Sequence, residues 1–172
     1  DLSDVGISIT AMTGNQLRNL GFNDTTEFDD MVPGLMVTGY GSGATTTFTI
    51  RGSSQLDFAD HHEPPVAVYF DNSYNSYTAG VGSNFFDVER IEVLRGPQGT
   101  LFGRNATGGV VHVVSKKPTQ EKDGYLELAA GEYEQFRVEG ALGGGLSDTV
   151  AGRVAFSFED DDGYQKNTIG DD

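Results

Sequence analysis

Two apolar runs joined by a glycine-rich connection constrain the fold of this chain more than any other feature. Residues 88–94 and 110–114 are rich in Val, Ile and Leu, and the second run is β-branched almost throughout. Such runs are typical of strands. The connection between them carries glycines at positions 96, 99, 103, 108 and 109. Because glycine adopts positive φ angles and permits close backbone approach, this density predicts a shaped turn without a regular helix.

These glycines do not fit a nucleotide-binding site. A phosphate-binding loop requires a lysine directly after its second glycine, whereas Gly109 follows Gly108 here. A dinucleotide-type glycine pattern at residues 39–44 leads into a β-branched strand, where that mechanism requires the N-terminus of a helix. The formal net charge of −15 makes contact with nucleic-acid phosphates repulsive. No nucleic-acid partner is therefore expected.

Short strands are predicted along the rest of the first two thirds of the chain. Apolar alternation and β-branched runs predict them at residues 5–10, 35–40, 45–52 and 66–70. Residues 71–86 are rich in Asn, Ser and Gly, which predicts a loop.

Two short helices are predicted between the first strands. The first is expected to begin at a cap provided by Thr13 or Asn15 and to end at Gly21. The second is predicted over residues 25–32, where the following Pro-Gly pair stops it. Their Leu, Phe and Met side chains are interpreted as core residues.

The last part of the chain alternates strictly between apolar and polar residues. Three strands are predicted, at residues 125–130, 136–142 and 150–159, joined by turns at residues 131–133 and 143–148. One face of this meander is apolar and the other is charged, as expected of a wall between lipid and a wet lumen. The apolar face is predicted to comprise Leu126, Leu128, Phe136, Val138, Val154, Phe156 and Phe158, and the other face Glu127, Arg137, Glu139 and Arg153.

The sequence VERIEVLRGPQGTLFGRNATGG at residues 88–109 resembles the signature of the plug domain of TonB-dependent outer-membrane receptors. It is accompanied, in the expected order, by TGNQLRNLGFNDTTEFDDMVPGL, by FTIRG at residues 48–52 and by PPVAVYFDN at residues 64–72. The resemblance implies an α+β plug domain, a small mixed sheet with short helices, over residues 1–118. A linker at residues 119–123 is followed over residues 124–172 by the first three antiparallel strands of a transmembrane β-barrel and the start of an extracellular loop.

The resemblance implies a transport receptor and not an enzyme. Such a receptor binds a scarce bulky solute, an iron-siderophore, another metal chelate or a glycan, in the outer membrane of a Gram-negative bacterium. Its partners are the TonB complex of the inner membrane, outer-membrane lipid and the solute, and no cofactor is implied. The alternative is a free-standing plug-like binding or signalling module with a β-meander. Because three strands cannot close a barrel, a much longer natural chain is expected, with its TonB-binding box before Asp1.

The loop at residues 53–63 concentrates carboxylates and imidazoles, in Asp57, Asp60, His61, His62 and Glu63. Carboxylates and neutral imidazoles are common metal ligands, but adjacent histidines do not easily face one ion and no H-E-x-x-H pattern is present. A solvated loop and a metal site are both open on the residues alone, and no metal site is assigned. The resemblance favours contact with the transported solute.

Aromatic residues in the predicted loop at residues 71–86 form a second candidate ligand set, comprising Tyr74, Tyr77, Phe85 and Phe86. Aromatic rings stack on sugars and line ligand pockets, because they offer a large contact area with few rotors. Packing against a barrel wall is the equal alternative.

Arg51 and Arg95 end the IRG and LRG motifs. An arginine at a strand end is commonly a surface residue whose stem lies on apolar neighbours. The resemblance implies instead that both arginines face acidic residues of the barrel wall and hold the plug. A guanidinium enclosed in a lumen needs such partners, because burying it unpaired is expensive.

The alternation also predicts an orientation. If the linker leaves the plug on the periplasmic side, residues 131–133 form an external turn and residues 143–148 a periplasmic one. Residues 159–172, which are rich in carboxylates, then lie in an extracellular loop, where they stay hydrated.

Overall fold

The structure, a computed structural model, describes residues 8–22, 28–40, 45–55, 63–76, 86–131 and 135–160. The chain divides into two compact units, Asp1–Lys116 and Lys117–Asp172. No helix in the described ranges is long and apolar enough to cross a membrane. The first unit contains β1 (Ser8–Thr13), α1 (Gly14–Leu20), β2 (Leu35–Tyr40), β3 (Thr45–Ile50), β4 (Val66–Phe70), β5 (Ser73–Asn75), β6 (Val88–Arg95), α2 (Gly99–Phe102) and β7 (Gly109–Ser115). The second contains β8 (Asp123–Ala130), β9 (Phe136–Ser147) and β10 (Val150–Asp160).

The first unit is built on a five-stranded mixed sheet with the strand order β1-β6-β7-β4-β5. β6 is antiparallel to both of its neighbours, and β4 runs parallel to β7. β2 and β3 form a separate antiparallel hairpin. The strands β2, β4, β6 and β7 therefore lie close to where the apolar runs predicted them.

One face of the five-stranded sheet contributes to the main apolar core. Alternate residues of β6 and β7 point to this face, including Ile91, Val93 and Val111, which are at most 3% exposed. Burial of one such side chain stabilises a fold by about 1.5–3 kcal/mol. The complete cluster comprises Met12, Leu17, Phe28, Val32, Leu35, Val37, Phe48, Ile50, Val66, Val68, Val88, Ile91, Val93, Val111 and Val113.

The opposite face of the sheet carries a smaller cluster that includes the glycine-rich connection. Its buried members are Ala67, Leu94, Ala106 and Val110, with Ile9, Tyr69, Tyr74 and Phe102 packed against them. Because Phe102 and Ala106 belong to the connection between β6 and β7, this cluster fastens the connection to the sheet.

Of the two predicted N-cap candidates of α1, Thr13 is confirmed and Asn15 lies within the helix, and the predicted end at Gly21 is confirmed. The Thr13 side chain accepts a hydrogen bond from the Gln16 N–H, and the Gln16 side chain accepts one from the Thr13 N–H, which completes a capping box. Gly21 ends the helix in the left-handed region, with φ of 74°. The second predicted helix begins outside the described residues, and its described end is one turn in which the Val32 N–H lies 3.2 Å from the Phe28 carbonyl oxygen.

The first strand differs from its predicted bounds. It was predicted at residues 5–10, but β1 continues to Thr13, which is paired with Arg90 of β6. Residues 5–7 lie outside the described part of the chain. The alternation ends at residue 10, but pairing with β6 and burial of Met12 extend the strand.

The predicted loop at residues 71–86 contains a strand, so that prediction is wrong at β5. The three residues of β5 pair antiparallel with β4, and Tyr74 lies opposite Tyr69. The two rings pack with centroids 5.6 Å apart. The polar local sequence does not predict this strand, because the strand is stabilised by pairing with β4 and by ring packing and not by its own β-propensity.

Two glycine-containing turns also correct the prediction. The strand predicted at residues 45–52 ends at Ile50, because Arg51 and Gly52 have positive φ angles of 52° and 81° and turn the chain. In the β6–β7 connection, α2 forms one helical turn where no helix was predicted. Gly96 and Gly103, with φ of 105° and 77°, lie on either side of it.

The second unit is a three-stranded antiparallel sheet in the order β10-β9-β8. The turn predicted at residues 143–148 is wrong, because β9 continues to Ser147 and Gly143 pairs with Arg153 of β10. A β-carbon on Gly143 would lie 3.3 Å from the stem of Arg153, so this side chain covers the glycine. The cross-strand contact explains why glycines that suggested a turn lie within a strand.

The two faces of this sheet match the predicted alternation. Its apolar face is exposed in Leu126, Leu128, Phe136, Leu142, Val154, Phe156 and Phe158, with exposed fractions between 45% and 74%. On the polar face the Tyr125 hydroxyl donates to Glu139 at 2.5 Å, and Arg153 pairs with Asp123 at 3.2 Å. The polar face therefore pairs charges across its strands, whereas the apolar face of the described strands is charged only at its end, where Asp160 lies opposite Phe136.

The close contacts of Gly109 predict a large effect of a single methyl group. A β-carbon at this position would lie 2.6 Å from both the Leu94 carbonyl oxygen and Ile50 Cδ1. Gly109→Ala is therefore expected to lower the free energy of unfolding by about 2 kcal/mol, since the sheet must shift to accept it. Urea denaturation measures the change. Gly99→Ala is the control, because nothing lies within 4 Å of that site; equal stability losses in the two variants would contradict the prediction.

Candidate functional site

Arg51 and Arg95 lie at one place in the first unit. Arg95 ends β6, and its Nη1 donates to the Pro33 carbonyl oxygen at 3.0 Å. The Arg51 N–H donates to the Gly34 carbonyl oxygen at 2.9 Å. The Arg51 Nη1 atom lies 3.7 Å from the position that a β-carbon on Gly96 would occupy. Both arginines therefore contact the Pro33–Gly34 turn or the residue that follows β6.

The charges of these two arginines have no carboxylate partner within the described ranges. No ion pair within 4 Å joins either guanidinium to an Asp or Glu there. The Arg95 Nε atom is buried, and no hydrogen-bond partner for it lies among the residues that the structure describes. A buried unsatisfied donor of a charged group is costly, so this place in the fold calls for an added acceptor or anion.

Most of the candidate ligand residues of the two loops lie outside the described residues: Asp57, Asp60, His61, His62, Tyr77 and Phe85. Three are described, namely Glu63, Tyr74 and Phe86. Glu63 pairs with Arg104 at 3.1 Å, and Phe86 is 39% exposed. Among the described residues, no group of three or more His, Cys, Asp or Glu side chains could hold a metal ion.

Tyr74 is engaged with its own neighbours. Its hydroxyl accepts a hydrogen bond from Asn105 Nδ2 at 2.8 Å, and its ring packs on Tyr69. Burial raises the pKa of the Tyr74 hydroxyl, while the hydrogen bond from Asn105 opposes that rise. The charge of Glu63 also raises this pKa, and that of Arg104 lowers it.

The sequence did not predict a cluster of polar side chains that joins β6, β7 and the residue after β4. His112 places Nδ1 3.2 Å from Glu92 Oε2 and its Nε2 against the carbonyl oxygen of Asp71. The Asp71 carboxylate accepts from the N–H of Ser115 at 2.9 Å and from its hydroxyl at 3.1 Å. The available signal was a histidine inside a run of valines, opposite a glutamate in the facing strand.

Arg90 completes this group and sets the ionisation of Glu92. Burial alone would raise the pKa of the Glu92 carboxyl, but the hydrogen bond and charge of Arg90, with help from His112, outweigh burial and lower it. The hydrogen bond to Glu92 in turn raises the pKa of Arg90. The Arg90 Nε atom lies 2.7 Å from Glu92 Oε1, a geometry typical of a charge-assisted hydrogen bond.

Residues 1–110 match the family described as the TonB-dependent Receptor Plug Domain. The chain belongs to this family. The pesticin receptor of Yersinia pestis is 30% identical to it over 162 residues, which cover 94% of this chain and 24% of the relative. The ferripyoverdine receptor of Pseudomonas aeruginosa is 30% identical over 168 residues, which cover 94% of this chain and 20% of the relative.

Solved structures agree with this membership. The ferric yersiniabactin uptake receptor of Yersinia pestis superimposes with a TM-score of 0.80 at 28% identity, covering 90% of this chain and 24% of that one. This TonB-dependent receptor chain thus spans about a quarter of the length of its relatives. The resemblance drawn from the sequence is confirmed, as is the fold class of a plug followed by antiparallel barrel strands. Its relatives are receptors of the Gram-negative outer membrane, which is the location of this chain.

The lowered pKa of Glu92 predicts a pH dependence of stability. Ionised Glu92 stabilises the plug fully above its ordinary pKa of about 4.3, and this stabilisation is lost as the pH falls through the lower folded pKa. Glu92→Gln is expected to reduce stability at pH 7 by about 1 kcal/mol and to change it progressively less as the pH falls below the ordinary pKa of a glutamate. Urea titrations across this range measure the difference. Glu89→Gln, which alters a more exposed partner of Arg90, is expected to have a smaller effect; a Glu92→Gln loss that is constant with pH would contradict the prediction.

Proposed function

We propose that this chain is the plug and first barrel strands of an outer-membrane receptor that imports a ferric siderophore or another metal chelate, using energy from an inner-membrane TonB complex. The observation that carries the proposal is the pair Arg51 and Arg95, whose guanidinium groups have no carboxylate partner within the described part of the chain. A surrounding barrel wall that presents carboxylates would pair the charges of these two guanidinium groups. The proposed activity is transport, and catalysis plays no part in it.

The names of the relatives support the ferric-siderophore class. The matched proteins include a ferripyoverdine receptor and a ferric yersiniabactin uptake receptor. A metal chelate is therefore the preferred solute over a glycan.

The second unit supports the membrane part of the proposal. Its exposed apolar face, including Leu126, Val154 and Phe156, suits contact with lipid, whereas a water-soluble module would leave it in water. We propose the plug at residues 1–118, the linker at 119–123 and the barrel strands at 124–172. The chain divides after Lys116, two residues before the proposed end of the plug, and β8 begins at Asp123, the last residue of the proposed linker. In the proposed orientation, β8 and β10 run outward and β9 runs inward.

Uptake by the intact receptor tests this function. The receptor is produced in a Gram-negative host that lacks its own siderophore receptors, and uptake of radioactive iron is measured with ferric yersiniabactin, ferripyoverdine and ferric hydroxamate and catecholate complexes. At least one complex is expected to enter, and deletion of the host's TonB is expected to abolish its entry. Uptake of a labelled oligosaccharide without any ferric complex would contradict the solute class, and a water-soluble monomeric protein would contradict the receptor.

Removal of the two arginines is expected to loosen the plug. In the intact receptor, Arg51→Ala combined with Arg95→Ala leaves carboxylates of the barrel wall unpaired, so leak of small antibiotics and cleavage by added protease are both expected to rise several-fold. Arg18→Ala is the control, because Arg18 bonds to Asn15 on its own helix. Leak and cleavage that stay at the wild-type level in the double variant would show that Arg51 and Arg95 do not hold the plug.

A further inference from the structure

The connection between β6 and β7 contacts both of the loops that supply candidate ligand residues. Residues 102–105 of this connection are called the bridging segment here, and two of them, Arg104 and Asn105, make these contacts. Arg104 pairs with Glu63 at 3.1 Å, and Asn105 Nδ2 donates to the Tyr74 hydroxyl at 2.8 Å. Two side chains that lie 11 positions apart in sequence, Glu63 and Tyr74, are thus held by neighbouring residues.

The bridging segment is itself fixed to the sheet on its other side. The Gln98 N–H donates to the Ala106 carbonyl oxygen at 2.8 Å, and the Gly96 N–H donates to the Gly108 carbonyl oxygen at 3.0 Å. Ala106 is fully buried, and Gln98 is 6% exposed. These backbone hydrogen bonds join the two ends of the connection where β6 ends and β7 begins. They fix the position of the bridging segment relative to the sheet.

Tyr69 links the bridging segment to β5 through apolar contact. Its hydroxyl donates to the Phe102 carbonyl oxygen at 2.6 Å, and its ring meets that of Phe102 edge-on at 5.2 Å. The same ring packs on Tyr74 at 5.6 Å. Tyr74 is therefore held by ring packing as well as by Asn105, whereas Glu63 is held by its ion pair with Arg104.

We propose that Arg104 and Asn105 are positioning residues, which hold Glu63 and Tyr74 in the arrangement that receives the solute. The assignment rests on the proposed function as far as solute binding is concerned. The two tethers differ in strength. Arg104 is 85% and Glu63 40% exposed in their side chains, so solvent weakens their ion pair. The partly buried bond between Asn105 and Tyr74 is the stronger tether.

This role differs from that of a ligand contact. A residue that touches the solute affects binding only, whereas a positioning residue also sets the order of Glu63 and Tyr74 when no solute is present. Loss of the contact from Asn105 or Arg104 is therefore detectable in the receptor without solute, as a loss of order at Tyr74 or Glu63. Leu101 supplies a matched control in the same connection, because its side chain is 75% exposed.

Hydrogen–deuterium exchange of the intact, solute-free receptor tests the proposal. In Asn105→Ala, amides of the peptide covering residues 63–76 are expected to exchange about fivefold faster, which corresponds to the loss of one hydrogen bond. Amides of β6 and β7 are expected to keep their wild-type rates. Leu101→Ala is expected to match the wild type throughout. Unchanged exchange of residues 63–76 in Asn105→Ala, or equal acceleration in Leu101→Ala, would overturn the proposal.

Paired substitutions separate positioning from general destabilisation. Tyr74→Phe removes the same hydrogen bond as Asn105→Ala, so the double variant is expected to exchange no faster than either single one. Because Pro64 and Pro65 have no amide hydrogen, the ion pair is followed at the amide of Glu63 itself. Arg104→Glu is expected to accelerate exchange of this amide, Arg104→Lys to retain its protection, and Glu63→Arg combined with Arg104→Glu to restore it. Additive effects in the first pair, or no recovery in the second, would overturn the assignment.

Uptake of a ferric siderophore tests whether the positioning of Tyr74 affects transport. In the assay described under Proposed function, Asn105→Ala is expected to raise the half-saturating concentration of the transported complex about fivefold with the maximal rate unchanged. A fall in maximal rate alone would contradict positioning. If no ferric complex enters the wild type, the proposed function fails, while the exchange measurements still decide whether Asn105 and Arg104 hold Tyr74 and Glu63.

Discussion

The close approach of the turn after β3 to the start of β7 is the constraint on which the arrangement of the plug depends. A side chain on Gly109 would meet Leu94 and Ile50, and one on Gly108 would lie 2.7 Å from the Ser53 hydroxyl. With no side chain at either position, fully buried Ile50 packs against the sheet and the chain reverses at Arg51. Packing at the two glycines thereby places Arg51 beside the end of β6, which carries Arg95.

The charged residues of the plug fall into two groups, which differ in whether their partners lie within the plug. Arg90 pairs with Glu92 within β6, and Glu92 contacts His112 on the neighbouring strand β7, so their contribution to stability is internal and varies with pH. Arg51 and Arg95 have no such partner among the described residues, and one nitrogen of Arg95 is buried unsatisfied. Charges that are matched internally stabilise the plug itself, whereas those left unmatched suit contact with another surface.

The two faces of the second unit differ in a similar way, because one pairs its polar groups internally and the other does not. Its polar face pairs Arg153 with Asp123 and Tyr125 with Glu139, whereas its apolar face offers Phe156 and its neighbours to the surroundings. Backbone pairing satisfies the strand interiors, and alternation alone assigns each side chain to a face. Two environments of opposite polarity are required for such a sheet, as at a barrel wall.

The sequence alone determined the features that depend on residues close together along the chain. Periodicity of two and β-branched runs located most strands, the Thr13 and Gly21 caps bounded α1, and the glycine-rich motif at residues 88–109 identified the family. Tertiary structure decided what depends on distant neighbours. β5 exists because Tyr74 packs on Tyr69, β9 passes through its glycines because Arg153 covers Gly143, and Glu92 met His112 only through strand register. Such contacts join residues far apart in the chain, so no local pattern specifies them.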